Sequence, residues 1–286
     1  MPELPEVEAL AFFLQAKTAG RPVRRAELVS LSALKTYDPA WSALLGARVS
    51  SVERKGKYLC VNLDGIWLVV HLARAGWVHW RDRLAATAVK VSKGPLAARI
   101  GFEEGDGFDI TEQGTEKRLA MWLVHTPEEV PGVARLGPDP LGEDFDAAAL
   151  GRVLRGGGGQ LKAALSDQSL IAGVGNAYSD EALHAARLSP FKPAAKLSDE
   201  EVARLHGALV GVLSAAVERC RGMDAGELKS DKKSSMAVHA RTGLACPVCG
   251  DKVREVSYAT RTFQYCPTCQ TGGKVLADRR LSRLLK

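Results

Sequence analysis

Four of the six cysteines fall into two Cys-x2-Cys pairs, Cys246 with Cys249 and Cys266 with Cys269, with 16 residues between the pairs. That is the spacing of a zinc ribbon, in which two knuckles bring four thiolates around one ion; the closed tetrahedron leaves no open position for chemistry, so the zinc is structural. Pro247, Gly250 and Pro267 suit the tight turns of the knuckles. A disulfide framework is the competing reading, and a reducing compartment disfavours it. Cys60 and Cys220 stand outside the pattern and read as single core or surface thiols. The other end of the chain suggests a second chemistry. In "MPELPEVEAL", loss of Met1 exposes Pro2 as a free secondary amine with Glu3 directly beside it, followed by Glu6 and Glu8. An α-amine with a pKa of roughly 7.7–8.0 is partly neutral near pH 7 and is a ready nucleophile, and a neighbouring carboxylate is placed for proton transfer. Glu6 has two readings: it orients the amine, or it is a helix N-terminal carboxylate favoured by the dipole.

The elements that must position these groups follow in order. Val7, Leu10, Ala11 and Leu14 recur at helical spacing and predict a helix over 5–17 with one buried face, which sets the direction of the N-terminus. From about 22 to 125, "RVSSVERKGKYLCVNL", "GIWLVVHLARAGWVHW" and "AARIGFEE" carry β-branched and aromatic residues between turn signals, an all-β sandwich or barrel. The Pro- and Gly-rich stretch 128–146 reads as a connection, and beyond it the pattern is helical, with Ser198 and Glu201 forming a capping-box signature. "RGGGGQ" lacks the Lys-Ser/Thr of a phosphate loop and reads as a turn. Between the cysteine pairs, "DKVREVSYATRTFQY" predicts a hairpin displaying Arg254 and Arg261, a device for gripping backbone phosphates.

The composition, with 46% apolar and 25% charged residues over 286, is that of a soluble globular protein of two or more domains, and no apolar run reaches membrane-spanning length. The acidic first residues lack the basic and apolar regions of a signal peptide, so the expectation is a cytoplasmic or nucleoid location with no membrane partner. The net charge of +6 is unevenly spread. Residues 229–286 hold 12 Lys and Arg against 4 Asp and Glu, a net of +8, whereas residues 1–228 hold 27 against 29, a net of −2. A basic C-terminal region is what a polyphosphate partner needs, since each neutralised phosphate releases counterions; a solvated basic face is the alternative. In "LSDQSLIAGVGNAYSDEALHAARLSP", Gly173, Gly175 and Asn176 sit between two helices, where converging amides and a helix N-terminus suit an anion.

Taken together, "PELPEVE", Lys57 in "ERKGKYL", "GVGNAYSDEALHAARLSP" and the four-cysteine end resemble, in the same order, the formamidopyrimidine-DNA glycosylase and endonuclease VIII family over nearly the whole chain, with an opening closer to the formamidopyrimidine branch. The resemblance implies an α+β multidomain fold: an N-terminal β-sandwich with an N-terminal helix, a helical helix-two-turn-helix domain and a C-terminal zinc finger. The expected boundaries are 1–130 for the catalytic sandwich, 131–150 for the linker, 151–228 for the helical domain and 229–286 for a basic loop and the four-cysteine zinc finger. It implies Pro2 as nucleophile, Glu3 as general acid/base, Lys57 on the phosphate beside the lesion, and Asn176 and Arg261 as phosphate clamps. Glu6 and Glu181 fall on family acids, Glu181 in a structural role.

The implied activity is a bifunctional base-excision glycosylase and abasic-site lyase acting, as a monomer, on damaged double-stranded DNA. Two alternatives remain: a lyase that has lost base excision, and a non-enzymatic zinc-ribbon DNA-binding protein. Substrate choice is where the sequence departs from the family pattern. Arg74 in "HLARAGW" stands at the position of a gap-filling methionine, and "TEQGTEKRLAMW" lacks the later arginine-phenylalanine pair, with Lys117 and Arg118 as partial substitutes. Arg74 either stacks into the gap left by an extruded base or binds phosphate. The Lys- and Ser-rich segment 226–243 is either a cover for such a base or a linker to the finger.

Overall fold

The computed structural model describes residues 1–87, 89, 94–228, 232, 234–257 and 262–277. The chain divides into two compact units, one of Met1–Arg135 with Cys220–Leu228, the other of Leu136–Arg219 with Lys229–Lys286. Among the described residues no helix is long and apolar enough to cross a membrane.

The first unit begins with α1 (Leu4–Thr18), whose Val7, Leu10 and Leu14 are fully buried, the stripe that the periodicity predicts. Eight strands follow in two antiparallel four-stranded sheets. One has the order β1 (Val23–Leu28), β6 (Leu96–Phe102), β7 (Gly107–Glu112), β5 (Gly76–Arg81); the other has the order β2 (Val49–Lys55), β3 (Tyr58–Leu63), β4 (Ile66–His71), β8 (Ala120–Val124). Their facing side chains make one core, with Val61, Leu68, Val70 and Leu123 from one sheet and Trp77, Val78, Ile100, Phe108 and Ile110 from the other. The sandwich expected from 22–125 is therefore the observed architecture. Cys60 is a buried thiol in β3, and burial pushes it up to about 12, so it stays protonated and inert. Trp77 places its indole in this core and satisfies Nε1–H on the Ala225 carbonyl at 2.6 Å. Asp109, 3% exposed, is held by Arg99 at 2.7 Å and Arg81 at 3.1 Å, so the buried carboxylate has partners.

The second unit contains α2 (Ala147–Gly157), α3 (Leu161–Ser166), α4 (Asn176–Ala185) and most of α5 (Asp199–Cys220), then a hairpin of β9 (Arg254–Ser257) and β10 (Thr262–Tyr265) and the short α6 (Pro267–Thr271). Asp146 caps α2 through the Ala149 amide at 2.7 Å, and Gly158, at φ +66°, follows its last residue. Ser198 and Glu201 exchange reciprocal bonds at the head of α5, 3.2 Å to the Glu201 amide and 3.1 Å from the Ser198 amide, the capping box read in the sequence.

Candidate active site and metal centre

Two contacts fix the direction of α1. Gln15 Oε1 accepts the Val52 N–H at 2.6 Å, and Glu8 accepts from Arg54 Nε at 2.6 Å. The helix thus runs antiparallel to β2, and its first turn points along the strand towards the Gly56–Lys57 turn that joins β2 to β3. Pro2 and Glu3, both buried, sit at that head, with Glu3 as N-cap and 2% exposed. Glu6 Oε2 accepts the Glu3 backbone N–H at 2.7 Å, one half of the capping box at the helix N-terminus.

Lys57 is 8% exposed in its turn, and Tyr58 pairs across the ladder with His71 at the end of β4, their rings 4.9 Å apart. Burial, reinforced by the Lys57 charge, pushes the His71 imidazole down to about 4, so it is neutral beside the lysine at neutral pH. Its folded pKa lies below the ordinary 6.5, so the stability of this unit is fully present above pH 6.5 and declines as the pH falls towards 4. The decline attributable to this group is on the order of 3 kcal/mol. All five tryptophans lie in this unit, so denaturant unfolding followed by their fluorescence reads it directly; His71→Phe is expected to flatten the profile over that window.

The chain leaves His71 through a rigid turn. Leu72 and Trp77 are each 2% exposed, the Gly76 N–H bonds the Leu72 carbonyl at 2.8 Å, and Ala73 adopts a left-handed φ of +50°. A Cβ on Gly76 lies 2.2 Å from the Leu72 oxygen, so only glycine closes the turn. Arg74 is exposed on this fixed support. Gly76 pairs with Glu112, and the segment that follows β7 returns to the same end, with Glu112 Oε1 accepting the Arg118 and Leu119 amides at 2.7 and 2.9 Å. Leu119, however, is 3% exposed and belongs to the core, so this loop offers no apolar wedge at that position. Pro2, Glu3, Lys57, Arg74, Lys117 and Arg118 are thus carried by adjoining turns of one unit.

In the second unit, α4 is the organising element. Gln168 braces the preceding turn, donating to the Val174 carbonyl at 2.6 Å and accepting the Gly173 N–H at 3.0 Å, with Gly173 at φ +81°. The helix then presents polar side chains at 176, 180, 181 and 184, one face by spacing. Asn176 Nδ2 donates to the Thr262 carbonyl at 2.7 Å, next to Arg261, which lies outside the described residues. Asp180 accepts from Lys162 Nζ at 2.5 Å, pairs with His239 Nδ1 at 2.7 Å and takes the Gln264 amide at 3.2 Å. Lys162 Nζ also donates to the Asn176 carbonyl at 2.6 Å and Ser179 Oγ at 2.8 Å.

Glu181 accepts the Ala237, Val238 and His239 amides at 2.7, 2.9 and 2.8 Å. The distal end of the 226–243 segment is therefore pinned to α4, while 229–231 and 233 lie outside the described residues. Glu181→Ala orphans three amides and is expected to cost about 3 kcal/mol locally, read as roughly 100-fold faster hydrogen exchange at 237–239. Lys162, Asp180, His184 and His239 were not singled out by sequence reasoning. Polar residues on a helix face ordinarily read as solvated, and no local signal reports partners some 60 to 85 residues away.

The four cysteines converge. Their sulfurs lie within 4.8 Å of one another, with Cys249–Cys266 at 3.3 Å and Cys246–Cys269 at 3.9 Å. Four soft donors at about 2.3 Å from a common centre have this spread, and no carboxylate joins the set, so the residues fit one tetrahedral thiophilic metal ion. Arg254, on β9 of the adjoining hairpin, is exposed.

Comparisons with known proteins agree with this arrangement. Residues 1–114 match the formamidopyrimidine-DNA glycosylase N-terminal domain and residues 136–225 the formamidopyrimidine-DNA glycosylase H2TH domain. An uncharacterized formamidopyrimidine-DNA glycosylase-like protein of Mycobacterium tuberculosis is 59% identical over 53% of this chain and 94% of its own. The formamidopyrimidine-DNA glycosylase of Symbiobacterium thermophilum is 37% identical over 98% of this chain and 93% of its own. The crystal structure of the Lactococcus lactis formamidopyrimidine-DNA glycosylase, non-covalently bound to DNA containing an abasic site, superposes with a TM-score of 0.80 at 26% identity, covering 94% of this chain and 99% of that one. Sequence likeness along almost the full length, two matched domains and a shared fold thus converge with the sandwich, the braced turn before α4 and the four-thiol centre: the chain belongs to the formamidopyrimidine-DNA glycosylase family.

Proposed function

We propose that the protein is a base-excision DNA glycosylase and abasic-site lyase that acts on damaged double-stranded DNA through its own N-terminal amine. The observation that carries this reading is the placement of Pro2 and Glu3 at the head of α1, directed along β2 towards the Lys57 turn, in a chain of this family. With Met1 removed, the Pro2 nitrogen attacks C1′ of the damaged nucleotide, the glycosidic bond breaks with its electron pair leaving on the base, and the N–H proton shed by the attacking amine balances the departing base. Glu3 protonates O4′ as the C1′–O4′ bond opens, and the nitrogen lone pair forms an iminium. The iminium acidifies the C2′ hydrogen; its loss expels the 3′ phosphate, and a second elimination expels the 5′ phosphate. Water then hydrolyses the remaining iminium and frees Pro2. Lys57 binds the phosphate beside the lesion, while Asn176 and Arg261 hold flanking phosphates, which positions DNA without reading sequence. The cysteine centre takes one structural zinc ion, which supplies rigidity and no chemistry. The protein acts as a cytoplasmic monomer on the nucleoid.

Arg74, exposed on the rigid turn after His71, is assigned to the gap left by the extruded base, where a planar cation stacks on base faces. The burial of Leu119 favours a second reading, in which base excision is narrow or lost and the lyase remains. Duplexes carrying single oxidised purines or pyrimidines separate the two. Release of free base together with strand scission is the expected result, scission of pre-formed abasic duplexes alone leaves the lyase, and neither reaction overturns both.

A further inference from the structure

A buried imidazole abuts the thiol cluster. His184 is 5% exposed, and its Nε2 lies 3.3 Å from Sγ of Cys246, itself 2% exposed. Four thiolates around a divalent ion carry two excess negative charges, a burden a partly buried site sheds only through N–H donors. A metal-bound thiolate has no proton to give, so at this distance Nε2 must be the donor.

Resting on the reading of the cysteines as a metal centre, we propose that His184 is a positioning residue of that centre: its Nε2–H donates to the Cys246 thiolate and fastens the metal-bound knuckle to α4. The consequence reaches beyond the finger. Asn176 opens the same helix eight residues earlier, about 12 Å along the axis, and its amide is bonded to Thr262 in the hairpin between the cysteine pairs. The helix is therefore tied to the C-terminal segment at both ends, by Asn176 at the hairpin and by His184 at the metal. The cysteine spacing gives no hint of this, because the four-thiol set is complete without a histidine.

The test uses the full, metal-loaded chain. One equivalent of zinc in the purified protein is the precondition, and its absence overturns the metal-centre reading itself. Given that zinc, nitrogen-15 spectra of the histidine side chains are expected to show His184 protonated on Nε2 and slow to exchange; a proton on Nδ1 alone overturns the inference even if no variant folds. His184→Phe keeps a ring but removes the donor, and is expected to transfer zinc to a chromophoric chelator some 10- to 100-fold faster, with Cys246 the first thiol alkylated. His184→Gln, which keeps an N–H, is expected to recover part of the wild-type rate. Wild-type transfer rates and an unchanged alkylation order in His184→Phe overturn the proposal.

Discussion

Protein that retains Met1 is expected to form no borohydride-trapped adduct with an abasic-site duplex, while protein with a free Pro2 is trapped nearly to completion. The reason is valence. In the retained form the Pro2 nitrogen is a tertiary amide, whose lone pair is delocalised into the carbonyl and cannot attack C1′. The freed form is a secondary amine whose lone pair is available, so only this form can attack. Glu3→Gln separates the two halves of the reaction. An abasic sugar is partly open-chain aldehyde and needs no acid to open its ring, so adduct formation persists. Excision of an attached base needs the proton on O4′ and is expected to fall roughly 10²- to 10⁴-fold, measured as base release in single-turnover assays. An adduct from Met1-retaining protein, or one that maps to Lys57, overturns the assignment of Pro2.

Much of this was legible in the chain before its fold. Val7, Leu10, Ala11 and Leu14 report a helix because they recur at its period, although the one buried face expected from them holds only towards the C-terminal end of α1, since Leu4–Val7 and Ala9–Ala11 are buried all round; the cysteine spacing reports its own geometry because a knuckle is a local structure. Register was harder to read. Every residue of β7 is buried, Asp109 and Glu112 included, so the alternation that ordinarily separates the faces of a strand is missing there. The face of α4 was opaque for a related reason: Asn176, Asp180, Glu181 and His184 look like a solvated helix surface, yet Asp180, Glu181 and His184 are buried and each of the four meets a partner from the C-terminal segment. A polar residue is stable inside only where distant chain supplies its hydrogen bonds, and that is a property of topology, not of spacing.

Loss of the metal is expected to abolish productive DNA binding, with more than roughly a 100-fold rise in Kd for an abasic duplex in Cys266→Ser. Cys266 is fully buried, and the hairpin it anchors has strands of four residues each, too short to persist without further support. A structural zinc contributes on the order of 10 kcal/mol to folding a small finger, more than such a hairpin gains from its own packing. When β10 loosens, the Thr262 carbonyl no longer holds Asn176 and the Gln264 amide leaves Asp180, so the damage passes into the head of α4. The two proposed phosphate clamps, Asn176 and Arg261, are then lost together, and because only the charged Arg261 neutralises a phosphate, the dependence of log K on log salt should flatten by about 0.9. Asn176→Ala alone removes one uncharged clamp and leaves the hairpin intact, so its affinity loss should be the smaller and its salt slope should stay that of the wild type. Equal affinity and slope in wild-type and Cys266→Ser protein, read by fluorescence anisotropy across a salt series, leave the metal no part in gripping DNA.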